Sequence, residues 1–105
     1  RYHVSQLAYL ANRLEAMPEG TGTVLDNSCL MFVSNMWSGS SHDPSKLPLL
    51  LVGGLGGTLE TGRVMDYREK GDENRKLCSL YLSLLSRMDV PAKRFGDADM
   101  PLQGL

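Results

Sequence analysis

The sequence predicts an α/β protein, a piece of a layered helix-sheet-helix fold whose strands are mostly parallel. Two observations support this prediction. Apolar residues recur at helical spacing towards both ends of the chain, and two short, continuously apolar runs lie between those stretches. Uninterrupted apolar runs are typical of strands covered on both faces, as in parallel sheets that lie between helices. The expected order is helix, strand, strand, helix, in a single domain or C-terminal fragment of a longer protein covering residues 1–105.

The first helix is predicted from Tyr2 to Met17. Its core-facing stripe has spacings of three and four residues and consists of Val4, Leu7, Ala8, Ala11 and Leu14. The segment PEGTGT should end this helix, because proline and glycine interrupt helical backbone. The turn formers of LDNS then lead into the first apolar run.

The two apolar runs predict strands at Cys29–Val33 and Leu49–Val52. Pro48 lacks a backbone N–H and therefore suits the first position of a strand. Residues 62–67 predict a further short extended segment. Because two strands and two helices cannot close a sheet that is covered on both faces, further strands are expected from the remainder of a parent chain or from a second copy.

The segment KGDEN, residues 70–74, predicts a loop and the start of the second helix, which DVP should end. Its apolar stripe has helical spacing and consists of Leu77, Leu80, Tyr81, Leu84, Leu85 and Met88. The preceding Asp72 and Glu73 suit the positive end of the helix dipole. The tail from residue 91 to residue 105 has little periodicity.

Composition narrows the classes of partner. The chain is 42% hydrophobic and 22% charged, as is typical of globular proteins, and its formal net charge of -1 gives no reason to expect nucleic acid or an anionic membrane. The longest apolar run, LPLLLV, is far shorter than the ~20 residues that span a bilayer. Cys29 and Cys78 have no CxxC spacing, so buried free thiols are expected, although a disulfide between them stays open.

The glycine-rich stretch GGLGGTLETGR invites comparison with a phosphate-binding loop. It lacks the GK[ST] ending of a P-loop. A dinucleotide fingerprint that starts at Gly54 would need Gly or Ala at position 59, where Leu stands. The favoured interpretation of this glycine-rich stretch is a flexible loop that follows the second strand.

The loop between the two strands carries the candidate ligand-binding residues. Ser34 and Asn35 follow the first strand, and His42, Asp43 and Lys46 lie further along. A metal ion needs several converging ligands, and this loop offers one or two. A complete metal site is therefore not expected, and His42 is at most a weak metal candidate.

Several segments together resemble a known bacterial family. They are LAYLANRLEAMPEGTGTVLDNS, SNMWSGSSHD, LPLLLVGG, TGR, LYLSLLSRMDVP and FGDADMPLQGL. In the same order they are similar to the C-terminal part of domain-of-unknown-function family 1552, with its PEGDGTLLDNS-like turn, its LPVLLAGG strand and its late FGD. The resemblance implies the C-terminal portion of an exported, periplasmic or surface protein of unestablished activity.

A more distant resemblance is to the alkaline phosphatase and sulfatase superfamily. There a DNT turn leads into a strand ending TSDHG, then a loop with basic residues, then VPLII. DNSCLMFVSNMWSG and LPLLLVGG follow that plan here. The superfamily's metal-binding Asp-His pair corresponds to Asn35 and Met36, so the resemblance implies a degenerate metal site. It also implies that His42 and Lys46 lie near the anionic group of a substrate.

The sequence therefore favours an exported protein with an alkaline phosphatase-like fold and without catalysis of its own. Two alternatives stay open. The chain could form one wall of the active-site cleft of a metal-dependent phosphoester or sulfate-ester hydrolase, or it could belong to a non-catalytic binding or scaffold protein. No cofactor is expected in these residues, and a divalent metal only in a longer parent.

Overall fold

A computed structural model describes all of residues 1–105 and contains two α-helices, one short 3-10 helix and two small sheets. The helices are α1 (Tyr2–Glu15) and α2 (Leu77–Arg87), and the 3-10 helix spans Asp72–Asn74. The strands are β1 (Pro18–Glu19), β2 (Gly22–Thr23), β3 (Leu30–Val33) and β4 (Leu49–Val52). The chain divides into two compact units, the first unit (Arg1–Gly57) and the second unit (Thr58–Leu105).

The strands β3 and β4 pair antiparallel, so the predicted parallel sheet is wrong. Leu30 lies opposite Val52 and Val33 lies opposite Leu49, which makes the two strands a hairpin closed by residues 34–48. Parallel strands need a crossover connection, usually a helix, and this connection contains none. The chain therefore returns directly alongside β3. A layered helix-sheet-helix arrangement of the alkaline phosphatase type is not the fold of this chain.

The hairpin of β3 and β4, called the ribbon below, explains why its apolar runs do not alternate. Six of its eight side chains are half-buried, and Val33 and Leu50 are exposed by 36% and 44%. Successive side chains of a strand point to opposite faces. Both faces of the ribbon are therefore apolar and only partly covered. An antiparallel pair of this kind has the same continuously apolar sequence as a buried parallel strand.

The helix α1 begins at the predicted residue and ends at Glu15, where the N–H of Ala16 bonds back to the Asn12 carbonyl at 3.1 Å. Its predicted stripe is only partly covered. Ala11 is buried, whereas Val4 is 48% exposed. Amphipathic spacing predicted this helix correctly, but not how little of its apolar face would be covered.

The segment that ends α1 is more ordered than predicted. Residues 18–23 form a small antiparallel hairpin in which Pro18 lies opposite Thr23 and Glu19 opposite Gly22. The connection includes Gly20 at φ +60°, a conformation that glycine adopts without strain.

The second unit has its buried residues on and around α2. They are Leu59, Ser79, Leu80, Leu82, Ser83, Leu84 and Ala98. The predicted stripe residues Leu80 and Leu84 are among them. Ser79 and Ser83 are buried as well, because the surrounding loops cover α2 on more than its apolar stripe.

The tail of the chain docks on α2 despite its lack of periodicity. Phe95 and Ala98 form a bridge, Ala98 is 1% exposed, and the rings of Tyr81 and Phe95 meet edge-on with centroids 5.5 Å apart. Residues 62–67, by contrast, form no strand.

The acidic pair before α2 lies in the 3-10 helix and not in the first turn of α2. Asp72 pairs with Arg75 at 2.5 Å and Glu73 with Lys76 at 2.6 Å. Their carboxylates therefore meet local cations instead of the helix dipole.

Both cysteines are free and half-buried. Burial raises the pKa of the Cys29 thiol above its usual value. Neither α1 nor α2 combines the length and the apolar character that a membrane-spanning helix requires.

Candidate functional site

The five candidate residues lie in the connection between β3 and β4, at one end of the ribbon. Antiparallel pairing sets Val33 opposite Leu49, so the loop leaves and re-enters the ribbon at adjacent positions. Four of the five side chains are exposed, and only Asp43 is half-buried. The loop therefore projects from the ribbon and does not lie at the carboxyl edge of a parallel sheet.

Main-chain hydrogen bonds organise the middle of this loop. The N–H of Trp37 donates to the Asp43 carbonyl at 2.7 Å, and the N–H of Asp43 donates to the Ser38 carbonyl at 3.2 Å. These bonds enclose a four-residue tip, residues 39–42. His42 ends the tip in the left-handed backbone region, with φ +48°. Trp37 remains 61% exposed.

Two of the candidate side chains form hydrogen bonds with their immediate neighbours. The Ser34 hydroxyl donates to the Met36 carbonyl at 2.8 Å, and a carboxylate oxygen of Asp43 accepts from the Ser45 N–H at 2.9 Å. Hydrogen bonds from the Ser45 hydroxyl and N–H lower the pKa of Asp43, and the charge of Lys46 lowers it further. Such contacts are typical of turns that Ser and Asp side chains stabilise.

The structure brings together only part of the predicted set. Asp43 and Lys46 interact electrostatically, while no hydrogen bond joins Asn35 or His42 to the other candidates. No group of three or more His, Cys, Asp or Glu side chains is placed to hold a metal ion. The Asn35 amide and the Met36 thioether do not supply the carboxylate and imidazole ligands that the resemblance to the superfamily would require at these positions.

The glycine stretch after β4 is engaged by the turn before β3, a contact that the sequence did not predict. The N–H of Gly54 donates to the Leu25 carbonyl at 3.2 Å, and that of Gly56 donates to the Asp26 carbonyl at 2.9 Å. The Leu55 N–H donates to the Ser28 carbonyl at 3.0 Å. The main-chain donors that a phosphate loop would offer are therefore occupied by carbonyl groups.

The close approach in this glycine clamp, formed by residues 25–28 and 53–56, depends on glycine. A Cβ atom added at Gly53 would lie 2.3 Å from the Ser28 carbonyl oxygen, and Gly53 has φ +106°. A Cβ atom at Gly54 would lie 2.8 Å from the Asp26 carbonyl oxygen. The run of turn formers in LDNS and the paired glycines were the sequence signals of this contact.

The polar residues of the clamp stabilise its own turn. One carboxylate oxygen of Asp26 accepts from the Thr23 N–H at 2.8 Å and from the Thr23 hydroxyl at 2.9 Å. The Asn27 amide donates to the Glu19 carboxylate at 2.7 Å. Asp26 is therefore a structural residue of the turn.

The second unit contains a set of side chains that sequence reasoning missed altogether. Arg63, Tyr67, Ser83 and Arg87 all hydrogen-bond main-chain atoms of residues 102–105. We call these four side chains the cradle. No spacing pattern in the sequence predicts the cradle, because its members come from a loop and from α2.

Comparisons of the chain with protein-family models, with curated proteins and with solved structures gave no match.

Proposed function

We propose that this chain is a non-catalytic association module, in which the ribbon of one copy joins the ribbon of a second copy. One observation carries the proposal: all eight side chains of the ribbon are apolar, and none of them is buried. The ribbon is the one secondary-structure element of the first unit whose side chains are all apolar, and six of the eight are only half-buried.

A two-stranded ribbon is marginally stable in water by itself. The sheet contains β3 and β4 alone, so each strand has one edge whose main-chain groups have no partner strand. Strands added at these edges would satisfy those groups, and a second ribbon packed against a face would cover the exposed side chain of Val33 or Leu50.

A second copy is the partner that the charges favour. The ribbon carries no charged side chain, and the formal net charge of the chain is only -1. Two copies therefore meet little electrostatic repulsion. A patch without charge is also complementary to itself, which is the requirement of a two-fold symmetric interface.

The candidate loop supports a non-catalytic role. The Ser34 hydroxyl and the Asp43 carboxylate are both engaged in local turns, where Ser34 donates to the Met36 carbonyl and Asp43 accepts from Ser45. The predicted membership of family 1552 and an exported location remain proposals, which the sequence of a longer natural protein containing this chain would test.

Sedimentation velocity over a range of concentrations tests the association. We expect wild type to show a concentration-dependent dimer. Leu50→Lys and Val33→Lys each place a charge on one face of the ribbon, and at least one of them should abolish the dimer. Val64→Lys is the matched control, because Val64 is 97% exposed and lies outside the ribbon.

Two results would contradict the proposal. One is a wild-type chain with normal helical circular dichroism that stays monomeric throughout, and the other is full dimerisation of both ribbon variants. Turnover of aryl phosphate or aryl sulfate esters by the chain would contradict the non-catalytic role.

A further inference from the structure

Residues 102–105 are held to the second unit through their main chain. Tyr67 Oη donates to the Gln103 carbonyl at 2.6 Å, Arg63 Nη1 donates to the Gly104 carbonyl at 2.8 Å, and Arg87 Nη2 donates to the Leu105 carbonyl. Three successive carbonyls are thus bound by three different side chains. Burial raises the pKa of Tyr67, so its phenol remains a proton donor.

The floor beneath this segment is polar and buried. The Leu102 N–H donates to Ser83 Oγ at 2.8 Å and to the Ser79 carbonyl at 3.0 Å. Ser79 and Ser83 are only 3% and 2% exposed. The Ser83 hydroxyl also donates to the Ser79 carbonyl at 3.1 Å, so the N–H of the bound segment adds a further partner to both buried groups.

Both arginines of the cradle also make contacts outside the bound segment. Arg63 also donates to the Glu60 carbonyl at 3.2 Å and pairs with the Glu60 carboxylate at 3.5 Å. Arg87 also donates to the Thr58 carbonyl at 3.1 Å and to the Ser83 carbonyl at 3.3 Å. Both guanidinium groups are therefore positioned by contacts that do not involve residues 102–105, which lowers the entropy lost when a ligand binds.

The side chains of the bound segment define a short pattern. Leu102 and Leu105 are half-buried, while Gln103 and Gly104 are exposed. Gly104 has φ +80°, which residues with a Cβ atom rarely adopt. The cradle therefore fits Leu-X-Gly-Leu, with any residue at the second position.

The segment can leave the cradle without disturbing the rest of the tail. The turn at residues 95–98 is anchored by buried Ala98 and by Lys76, whose Nζ donates to the Asp97 carbonyl at 2.9 Å. Residues 99–101 between this turn and the segment are all exposed. An exposed tether is a feature of a segment that opens locally while the turn before it stays in place.

We propose that the cradle is a peptide-binding site for Leu-X-Gly-Leu segments of other polypeptides, and that residues 102–105 occupy it in cis. The contacts go mainly to main-chain atoms, so they do not depend on the chain from which the segment comes. This proposal is independent of the ribbon and of its association.

The test uses the full-length chain with Leu102→Asp and Leu105→Asp, which expels the chain's own segment. A fluorescent peptide of residues 99–105, DMPLQGL, is titrated with this open variant, and anisotropy is measured. We expect saturable binding. Wild type should bind the peptide at least about tenfold more weakly, because its tethered segment competes at an effective concentration in the millimolar range.

Matched peptides and a cradle variant test the recognition. A peptide with Val in place of glycine should bind roughly tenfold more weakly, because a side chain disfavours the left-handed backbone. A peptide with Ala in place of glutamine should bind equally well. Arg63→Gln in the open variant should weaken binding of the parent peptide.

The proposal is overturned if the open variant keeps wild-type circular dichroism and yet shows no saturable binding, or if the glycine and valine peptides bind equally. If the open variant loses its helical structure, hydrogen exchange of the wild-type chain is the test of peptide binding instead. Excess DMPLQGL must then accelerate exchange of the Leu102 amide without affecting that of Ala98, and unchanged exchange at Leu102 overturns the proposal.

Discussion

The first unit contains every strand of the molecule and almost no buried side chain, whereas the second unit contains no strand and nearly all of the buried residues. Only Ala11 and Gly53 are buried in the first unit. In the second unit a single helix, α2, supplies five of the buried residues. Strand pairing and a hydrophobic core are therefore separate properties, and here they occur in different parts of one chain.

The two units also satisfy their main-chain polar groups differently. In the first unit, main-chain groups bind one another in the ribbon and in the glycine clamp. In the second unit, long side chains such as Arg63 and Arg87 bind the carbonyls of irregular loops. An exposed hydrogen bond contributes only about 1 kcal/mol net, while a buried leucine side chain contributes roughly 2 kcal/mol. The second unit is consequently the self-sufficient one.

The largest expected effect is a difference between two leucine truncations. Leu82 is 5% exposed in α2, so Leu82→Ala should lower the free energy of unfolding of the second unit by about 3 kcal/mol. Leu50 is 44% exposed in the ribbon, so Leu50→Ala should cost less than about 1 kcal/mol in the monomer. Urea unfolding followed by far-ultraviolet circular dichroism measures both.

Val64→Ala serves as the control for these truncations and should leave the unfolding curve unchanged. Equal losses for the Leu82 and Leu50 variants at a concentration where the chain is monomeric would show that the ribbon has a core of its own. The conclusion that only the second unit has a hydrophobic core would then be wrong.

A second prediction concerns the glycine clamp. Gly53→Ala should destabilise the clamp by about 2–3 kcal/mol, because the new methyl group meets the Ser28 carbonyl and the backbone is left-handed. A Cβ atom added at Gly56 would meet no atom within 4 Å, and only the φ of +67° is unfavourable for alanine. Gly56→Ala should therefore destabilise the clamp by about 1 kcal/mol. Hydrogen exchange of the Leu55 amide reports the opening of the clamp.

Gly39→Ala completes this series as the neutral variant, since the added Cβ atom would meet nothing within 4 Å. A Gly53→Ala chain whose Leu55 amide exchanges as slowly as that of the Gly39→Ala chain would contradict the steric role of Gly53.

The helices and the ends of β4 could be predicted from the sequence, because spacing and proline chemistry are local signals. Leu49 starts β4 as predicted, whereas α2 starts at Leu77, after the predicted start in residues 70–74. The direction of β4 was predicted wrongly, since an apolar run does not reveal its partner's direction. The missing helix between the two strands was the available signal for a hairpin.

The sequence predicts the loop that carries the candidate residues, but not the contacts within that loop. Ser34, His42 and Asp43 do lie in one loop, but their hydrogen bonds depend on how the loop folds back at Ser38. The cradle was missed because Arg63 and Ser83 meet the tail through tertiary contacts between residues far apart in sequence. Neither arrangement leaves a periodic pattern.

The smallest expected effect compares one carboxylate in each unit. Hydrogen bonds from the Arg68 guanidinium lower the pKa of Asp66 to about 2, whereas Asp43 is lowered mainly by the neutral donors of Ser45. A lowered pKa in the folded state means that the contribution of Asp66 to stability is complete above its usual pKa of 3.8. It is lost as the pH falls through about 2.

Carbon-13 NMR titration of the carboxyl groups measures both values at low salt and in about 1 M NaCl, where the screening length is about 3 Å. Salt should raise the pKa of Asp66 and should change that of Asp43 less. Arg68→Gln should return Asp66 towards its usual pKa. Equal salt shifts at the two residues would contradict the assignment of different causes.

The four-residue tip at residues 39–42 also makes this loop a place to engineer the chain. Because the bonds among Trp37, Ser38 and Asp43 close the tip beneath it, an epitope or a small domain inserted after Ser40 would lengthen only the tip. Doubling a flexible loop costs only about 0.6 kcal/mol of closure entropy. The register of β3 and β4 would be retained, and a reporter inserted there would protrude from one end of the ribbon while leaving its strand edges uncovered.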